Sequence, residues 1–246
     1  MKREANKPDL SLIIPAYNEE ARIGKSLDRI LRFLDSQPYA SEVIIVDDGS
    51  RDRTAEMVKE HFGGHPGLQL HRQPGNLGKG MAVQRGMLLG SGKYLFFSDA
   101  DLSVPIEMLP VFIARLENQS DLAIGTRQKS GAVIEIHQPR HRELMGKVYT
   151  NLSNSMLGVP VSDFTCGFKG FRRDIAKDLF SRQRLGNWSF DAEILYLAHR
   201  KGYRIAEIPV TWRNDHATKV KLWKDVITSF LGLVQIRLFD LQGKYR

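Results

Sequence analysis

Along the first half of the chain, short strand-like apolar runs alternate with longer stretches in which apolar residues recur every three or four positions. The runs are Leu10 to Ile14, Val43 to Val46, Leu68 to Leu70, Tyr94 to Phe97 and Leu122 to Ile124. Largely continuous apolar runs of this length read as strands covered on both faces, whereas the spacing between them reads as helix. In the first intervening segment Ile23, Leu27, Ile30, Leu31 and Leu34 fall at i, i+4, i+7, i+8 and i+11, on one helical face. Regular alternation of strand and helix predicts an α/β fold: a Rossmann-like, mostly parallel central sheet flanked by helices. Ligands bind such sheets beyond the carboxyl ends of the strands.

The residues that leave each strand therefore share one edge. They read PAYNEE, DDGSRD, GNLGKG, DAD and GTR in chain order. In the fourth, Asp99 and Asp101 stand two apart; in an extended segment both side chains point the same way, with Cα atoms about 6.6 to 6.8 Å apart. Two carboxylates so placed repel unless a cation lies beside them, which suggests Mg²⁺ or Mn²⁺ shared with a substrate diphosphate. The competing reading is a helix cap and turn, a common role for aspartate. Asp47 and Asp48 close a wholly apolar strand, and helix capping by Ser50 leaves them unexplained; they suit a base N–H or ribose hydroxyls. Pro15 and Tyr17 offer an apolar wall, and Asn18 and Glu19 polar contacts, with a turn and helix start as the alternative. Lys79, flanked by Gly78 and Gly80, lacks the spacing of the familiar phosphate loops but suits a base or phosphate at a helix N-terminus.

Two further stretches stand out. Residues 126–141 (TRQKSGAVIEIHQPRH) are predicted to form a long mobile loop. From Val220 a stripe of Val220, Trp223, Ile227, Leu231, Val234, Leu238 and Leu241, widened by Leu222, Val226, Phe230 and Leu233, predicts an amphipathic helix over about 217–241. That helix either packs on the domain or lies in a bilayer interface, and its pattern suits both.

Composition narrows the picture. At 246 residues and 42% hydrophobic content the chain suffices for one domain, with a core over about 10–215. No apolar stretch approaches the roughly 20 residues of a membrane span and none resembles a signal peptide, so the expectation is a cytoplasmic protein, neither secreted nor transmembrane. Cys166 is the only cysteine, which excludes an intramolecular disulfide and a four-cysteine zinc site. A net charge of +8 calls for an anionic partner. The cations are scattered singly, without a nucleic-acid-binding module, so no nucleic acid is expected and a phosphate-bearing substrate is.

SLIIPAYNEE, EVIIVDDGSRDRT, NLGKGMAV, FFSDADLS, AIGTR and DFTCGFKGF occur in the order found in glycosyltransferase family 2. From about Leu10 to the C-terminus, including WSFDAEILYLAHRKGYRIAEIPVTW, the chain resembles the polyprenyl-phosphate sugar transferases, the group of the dolichyl-phosphate glucosyltransferases and mannose synthases. That resemblance implies a single GT-A fold domain that transfers one hexose, with inversion, from a nucleotide-sugar to a polyprenyl phosphate at a membrane surface. It implies that Pro15, Tyr17, Asn18, Glu19, Asp47 and Asp48 hold the nucleoside with Lys79 beside it, that Asp99 serves the ribose or metal, and that Asp101 serves the metal. Arg127 and Arg142 would grip the acceptor phosphate, and Lys219 would neutralise the departing diphosphate. Ser103 stands where mannose synthases usually keep glutamine, which tilts the match toward UDP-glucose over GDP-mannose.

The resemblance also implies a catalytic base at Asp163 in relatives with hydroxyl acceptors. A phosphate monoester is already largely anionic at pH 7 and needs no base. The expected attachment is peripheral, on the cytoplasmic face of the membrane. Three alternatives stay open at this point: a GDP-mannose-dependent enzyme, a transferase with a soluble sugar acceptor, and a catalytically silent module that binds nucleotide-sugar or anionic lipid.

Overall fold

The computed structural model describes residues 7–215 and 222–245, the backbone alone for 222–227. The elements run β1 (Leu10–Ala16), α1 (Ile23–Asp35), β2 (Ser41–Asp47), α2 (Thr54–Phe62), β3 (Leu68–Arg72), α3 (Lys79–Leu89), β4 (Tyr94–Ser98), α4 (Leu109–Glu117), β5 (Leu122–Thr126), β6 (Val133–Ile136), α5 (Arg140–Leu157), β7 (Phe168–Arg172), α6 (Arg173–Arg182), α7 (Phe190–Arg200), β8 (Ile205–Pro209), β9 (Thr211–Arg213) and α8 (Leu222–Leu241). Seven strands form one sheet in the order β3-β2-β1-β4-β7-β5-β8. Every pairing is parallel except those of β7, which runs antiparallel to both β4 and β5. The expected α/β architecture is therefore present, and all five sequence-predicted strands belong to this sheet.

Alternate residues of β1, β2, β4 and β5 feed two cores. Leu12, Ile14, Val43, Ile45 and Phe96 pack with α1 and α4 on one face. Ile13, Ile44, Val46, Leu95 and Phe97 pack with α3, α6 and α7 on the other. Burial on both faces is why these strands lack polar alternation. Each fully buried large side chain contributes about 1.5–3 kcal/mol, and Phe112 meets Phe168 edge-to-face at 4.8 Å to lock α4 onto the antiparallel strand.

Two segments depart from the sequence reading. The stretch 126–141 is not a plain loop, because Val133–Ile136 pairs in parallel with Thr211–Arg213 as a separate two-stranded ribbon. Its partner lies far along the chain, so no local pattern announces it. In α8 the face turned to the core carries Leu233 and Ile236, while Phe230, Leu231, Leu238 and Leu241 stay exposed. Most of the described part of the sequence-predicted stripe thus points outward.

Candidate active site

The loops leaving β1 and β2 brace each other. Asn18 receives Arg51 N on its Oδ1 at 2.8 Å and gives its own N–H to Ser50 Oγ at 2.8 Å. Glu19 N donates to Thr54 Oγ1 at 2.7 Å, and the Glu19 carboxylate is paired with Arg22, whose Nη1 also reaches Asp215 at 2.7 Å. Asp48 accepts three hydrogen bonds, from Gln73 Nε2 and Leu77 N on Oδ1 and from Gly78 N on Oδ2. It thereby fixes the glycine-rich turn before α3. Gly49, at φ +69, approaches Gly75 so closely that a side chain there would strike the Gly75 backbone.

Asp47 differs from its neighbour. It is fully buried, and its Oδ1 accepts from Ser50 N at 3.1 Å. Its Oδ2 lies 3.1 Å from Arg72 Nε but outside hydrogen-bond geometry, which leaves that oxygen without a hydrogen-bond partner. Pro15, the penultimate residue of β1, is half-buried, as is Tyr17 just beyond the strand.

Beyond β4 the chain does not stay extended. Leu102 N closes a turn onto Asp99 O at 3.1 Å, and Leu102 takes φ +50, a left-handed conformation that costs a bulky side chain strain. The turn, rather than strand geometry, brings Asp99 and Asp101 to one side. Asp101 Oδ1 accepts from Ser103 N at 2.9 Å. Burial, and then the charge of Asp99, hold the Asp101 carboxyl above its ordinary range. Gly167 makes room here, since a Cβ on it would collide with the Asp99 carboxylate.

Lys79 opens α3 and forms an ion pair with Asp99. Its ammonium lies 5.2 Å from the centroid of the Trp188 ring. Burial works against its charge, but Asp99, Asp191 and Asp101 outweigh that and raise it above the usual lysine value. Among the described residues no three His, Cys, Asp or Glu side chains gather as a metal cage. A cation at Asp99 and Asp101 would therefore take its remaining ligands from substrate and water, the usual habit of Mg²⁺. The mutual repulsion of these two carboxylates in a desolvated turn fits such an ion.

On the other side of β4, Arg127 grips Asp163. Nε donates to Oδ2 at 2.8 Å, Nη2 to Oδ1 at 2.9 Å, and the backbone N to Oδ2 at 3.2 Å. Thr165 N adds a bond at 3.0 Å. Burial opposes ionisation of Asp163, yet Arg127 holds its carboxyl below the ordinary aspartate range. An anion so saturated with donors is a poor proton acceptor. Arg127 also lies 5.3 Å over Trp212, and its Nη1 takes no part in these bonds. Burial pushes the Cys166 thiol up to about 11, so it is an inert packed group.

Beneath both halves lies Lys169, which sequence reasoning did not single out. Its Nζ is fully buried and donates to Phe164 O at 3.0 Å, Cys166 O at 2.7 Å and Asp191 Oδ1 at 2.6 Å. The visible signal was a lysine between phenylalanines in the strand FKGF. Buried ion pairs add little net stability, but losing one partner costs about 3–5 kcal/mol.

The face of α5 is different again. Arg142 Nε, Tyr149 Oη, Thr150 Oγ1, Ser153 Oγ and Asn154 Oδ1 are buried without hydrogen-bond partners, five of nine such atoms among the described residues. Each unmet group costs about 1–3 kcal/mol. Lys219, the remaining candidate, lies outside the described residues.

The sheet order, the antiparallel β7 and the carboxylate turn after β4 define a glycosyltransferase of the GT-A fold. Glucosyl-3-phosphoglycerate synthase from Mycobacterium tuberculosis, solved with Mn²⁺, UDP-glucose and phosphoglyceric acid, superposes with a TM-score of 0.69 at 21% identity, covering 93% of this chain and 79% of that one. Mannosyl-3-phosphoglycerate synthase from Rubrobacter xylanophilus superposes with a TM-score of 0.71 at 19% identity, covering 96% and 75%. The model of glycosyl transferase family 2 matches residues 11–180, and the chain belongs to that family. It is similar to the dolichyl-phosphate beta-glucosyltransferase of Saccharomyces cerevisiae, 36% identical over 96% of this chain and 76% of the relative, and to that of Homo sapiens, 30% identical over 96% and 77%.

Proposed function

We propose that this chain transfers one glucosyl residue from UDP-glucose to the phosphate of dolichyl phosphate, with inversion. Its yeast and human relatives bear the name of that reaction. The observation that carries the reading is the opposition of charges along one edge. Asp99 pairs with Lys79 on the donor side, with Asp101 two residues on, while on the acceptor side Arg142 keeps a buried Nε with no hydrogen-bond partner.

An anionic oxygen of the acceptor phosphate attacks the anomeric carbon as the bond from that carbon to the UDP oxygen breaks. The bonding electrons leave with UDP, an α-linked donor gives a β-linked product, and no proton need move. Arg142 and the free nitrogen of Arg127 orient the acceptor, a task suited to guanidinium forks. Asp47, with one buried oxygen lacking a hydrogen-bond partner, accepts from the base; Pro15, Tyr17, Asn18, Glu19 and Asp48 shape the nucleoside wall around it. Asp101, with Asp99, would hold Mg²⁺ or Mn²⁺, which when bound neutralises charge on the departing diphosphate. The mycobacterial neighbour crystallised with Mn²⁺ and UDP supports a divalent ion. Lys219 assists at the same diphosphate. A soluble hydroxyl acceptor is disfavoured, because Asp163 is committed to Arg127 and held anionic.

Attachment to the cytoplasmic face of the membrane is peripheral. Among the described residues no helix is long and apolar enough to cross a bilayer, and exposed Leu144 and Val148 of α5 with Phe230, Leu231, Leu238 and Leu241 of α8 supply apolar contacts. The test is transfer of labelled sugar from UDP-glucose, with GDP-mannose in parallel, into an organic-extractable product. Label from UDP-glucose that requires dolichyl phosphate and disappears with EDTA supports the reading; label from GDP-mannose alone overturns the donor.

A further inference from the structure

We infer that the loop 163–167, held from beneath by Lys169, is the device that positions the donor-side carboxylate Asp99 and the acceptor-side Arg127 relative to each other. The inference rests on the reading above and deepens it. β7 runs against its neighbours and lies between β4 and β5 in the sheet. An antiparallel strand begins where its neighbours end, so Phe168 stands opposite Ser98, and the segment entering β7 arrives at the carboxyl edge. Residues 163–167 are that segment. They insert between Asp99, which follows β4, and Arg127, which follows β5.

Each end of the loop meets one of the two groups. Gly167 lies against the Asp99 carboxylate so closely that a Cβ on it would collide with both oxygens and the carbon between them. At the other end Asp163 binds Nε and Nη2 of Arg127, and Thr165 Oγ1 accepts from the same Nη2 at 2.8 Å. The loop contains no helix or strand, so its shape is imposed by what surrounds it. Lys169 imposes most of it. An ammonium has three donors: two go to the loop, at Phe164 O and Cys166 O on either side of Thr165, and the third anchors the lysine to Asp191 of α7 at 2.6 Å. The ammonium also lies 5.4 Å from the centroid of the Phe97 ring, two residues before Asp99. From the side, Cys166 Sγ occupies space that a Cβ on Gly125 would need. Lys169 is thus a positioning residue: it touches neither substrate, and it fixes the loop whose ends touch the groups that do. Displacing such groups by about 1 Å costs on the order of 10²-fold in rate.

The experiment measures kcat, KM for dolichyl phosphate, affinity for UDP, affinity for Mn²⁺ by electron paramagnetic resonance, and thermal melting, for the full chain and three variants. Gly167→Ala should weaken Mn²⁺ binding about tenfold or more and leave KM for dolichyl phosphate unchanged. Lys169→Met should lower both kcat and the melting temperature. Adding Asp191→Asn removes the buried charge left without a partner. The double variant should therefore regain melting temperature, while kcat stays down about 10²-fold, Mn²⁺ binds about tenfold more weakly and UDP affinity is unchanged. A double variant that regains transfer together with stability reduces Lys169 to a structural ion pair and overturns the inference. A fall in UDP affinity that matches the fall in kcat also overturns it, because the loss then runs through Lys79, and so does Gly167→Ala with Mn²⁺ affinity intact. Should the single lysine variant fail to fold, the double variant and Gly167→Ala decide. A wild-type chain that transfers nothing to dolichyl phosphate defeats the function reading, and Mn²⁺ affinity and melting, read without turnover, still decide this one.

Discussion

The loops after β1 and β2 and the face of α5 treat their polar groups in opposite ways. In the loops, Asp48 meets three donors, Asn18 two partners and Glu19 a guanidinium. On α5, five buried polar atoms meet none. Apart from Asp47 Oδ2, which has no hydrogen-bond partner, the first region is preorganised: its partners are in place before ligand arrives, so its contribution to rate is geometric. The second holds unmet hydrogen-bonding capacity, which binding can satisfy. Stability and function are therefore aligned in the loops and opposed on α5.

The Asp99–Asp101 turn belongs with α5 in this contrast, and it gives the largest expected effect. Asp101→Asn should reduce transfer by about 10²–10³-fold without lowering the melting temperature, because burial and Asp99 already disfavour the Asp101 charge. Steady-state rates beside calorimetry check this; a large loss of stability would move Asp101 into the preorganised class. Asp163→Asn tests the opposite class. Leaving Arg127 buried without its carboxylate should cost about 3–5 kcal/mol of stability. Asp163 is held below its unfolded value, so its stabilisation is complete above the ordinary aspartate pKa of about 3.9 and is lost as pH falls through the lower folded value. The gap between mutant and wild-type melting temperatures should accordingly be full at pH 7 and close only in acid. A gap independent of pH down to the acid transition would contradict the ion-pair account.

Arg142→Gln sharpens the comparison on α5 itself. It should raise KM for dolichyl phosphate about tenfold, a change of about 1.4 kcal/mol, with UDP-glucose affinity intact and no fall in melting temperature. A fall would show that Arg142 is held by the fold. The smallest effect concerns Cys166, whose thiol is buried and pushed up to about 11. Thiol reagents at pH 8 should leave the native chain unmodified and active, and modification that outpaces unfolding would show that the core beneath the site opens.

Much of this was legible in sequence where burial dictates pattern. Four of the five strands, β1, β2, β4 and β5, announced themselves because both faces of each are covered, β3 being an edge strand with no fully buried residue, and the polar residues at their ends fell along one edge as the topology requires. β7 was hidden by Lys169 and Gly170: a buried lysine reads as solvent-facing unless its three acceptors are known, and those come from Phe164, Cys166 and α7. The β6–β9 ribbon was hidden by distance along the chain. Asp99 and Asp101 were found from their spacing, but the strand geometry assigned to them gave way to a turn with Leu102 at φ +50. Unmet hydrogen bonds on α5 depend on what fails to be nearby, which no spacing rule reports. In α8, apolar residues cover nearly half the circumference, so periodicity could not say that Leu233 and Ile236 face inward.

The most direct measurement of the central claim is the NMR spectrum of the lipid product formed from UDP-glucose and dolichyl phosphate. A β-configured anomeric proton coupled to phosphorus would establish that an acceptor phosphate oxygen displaced UDP with inversion. An α-configured product, or glucose on a carbon hydroxyl with no phosphorus coupling, would contradict the account of the site.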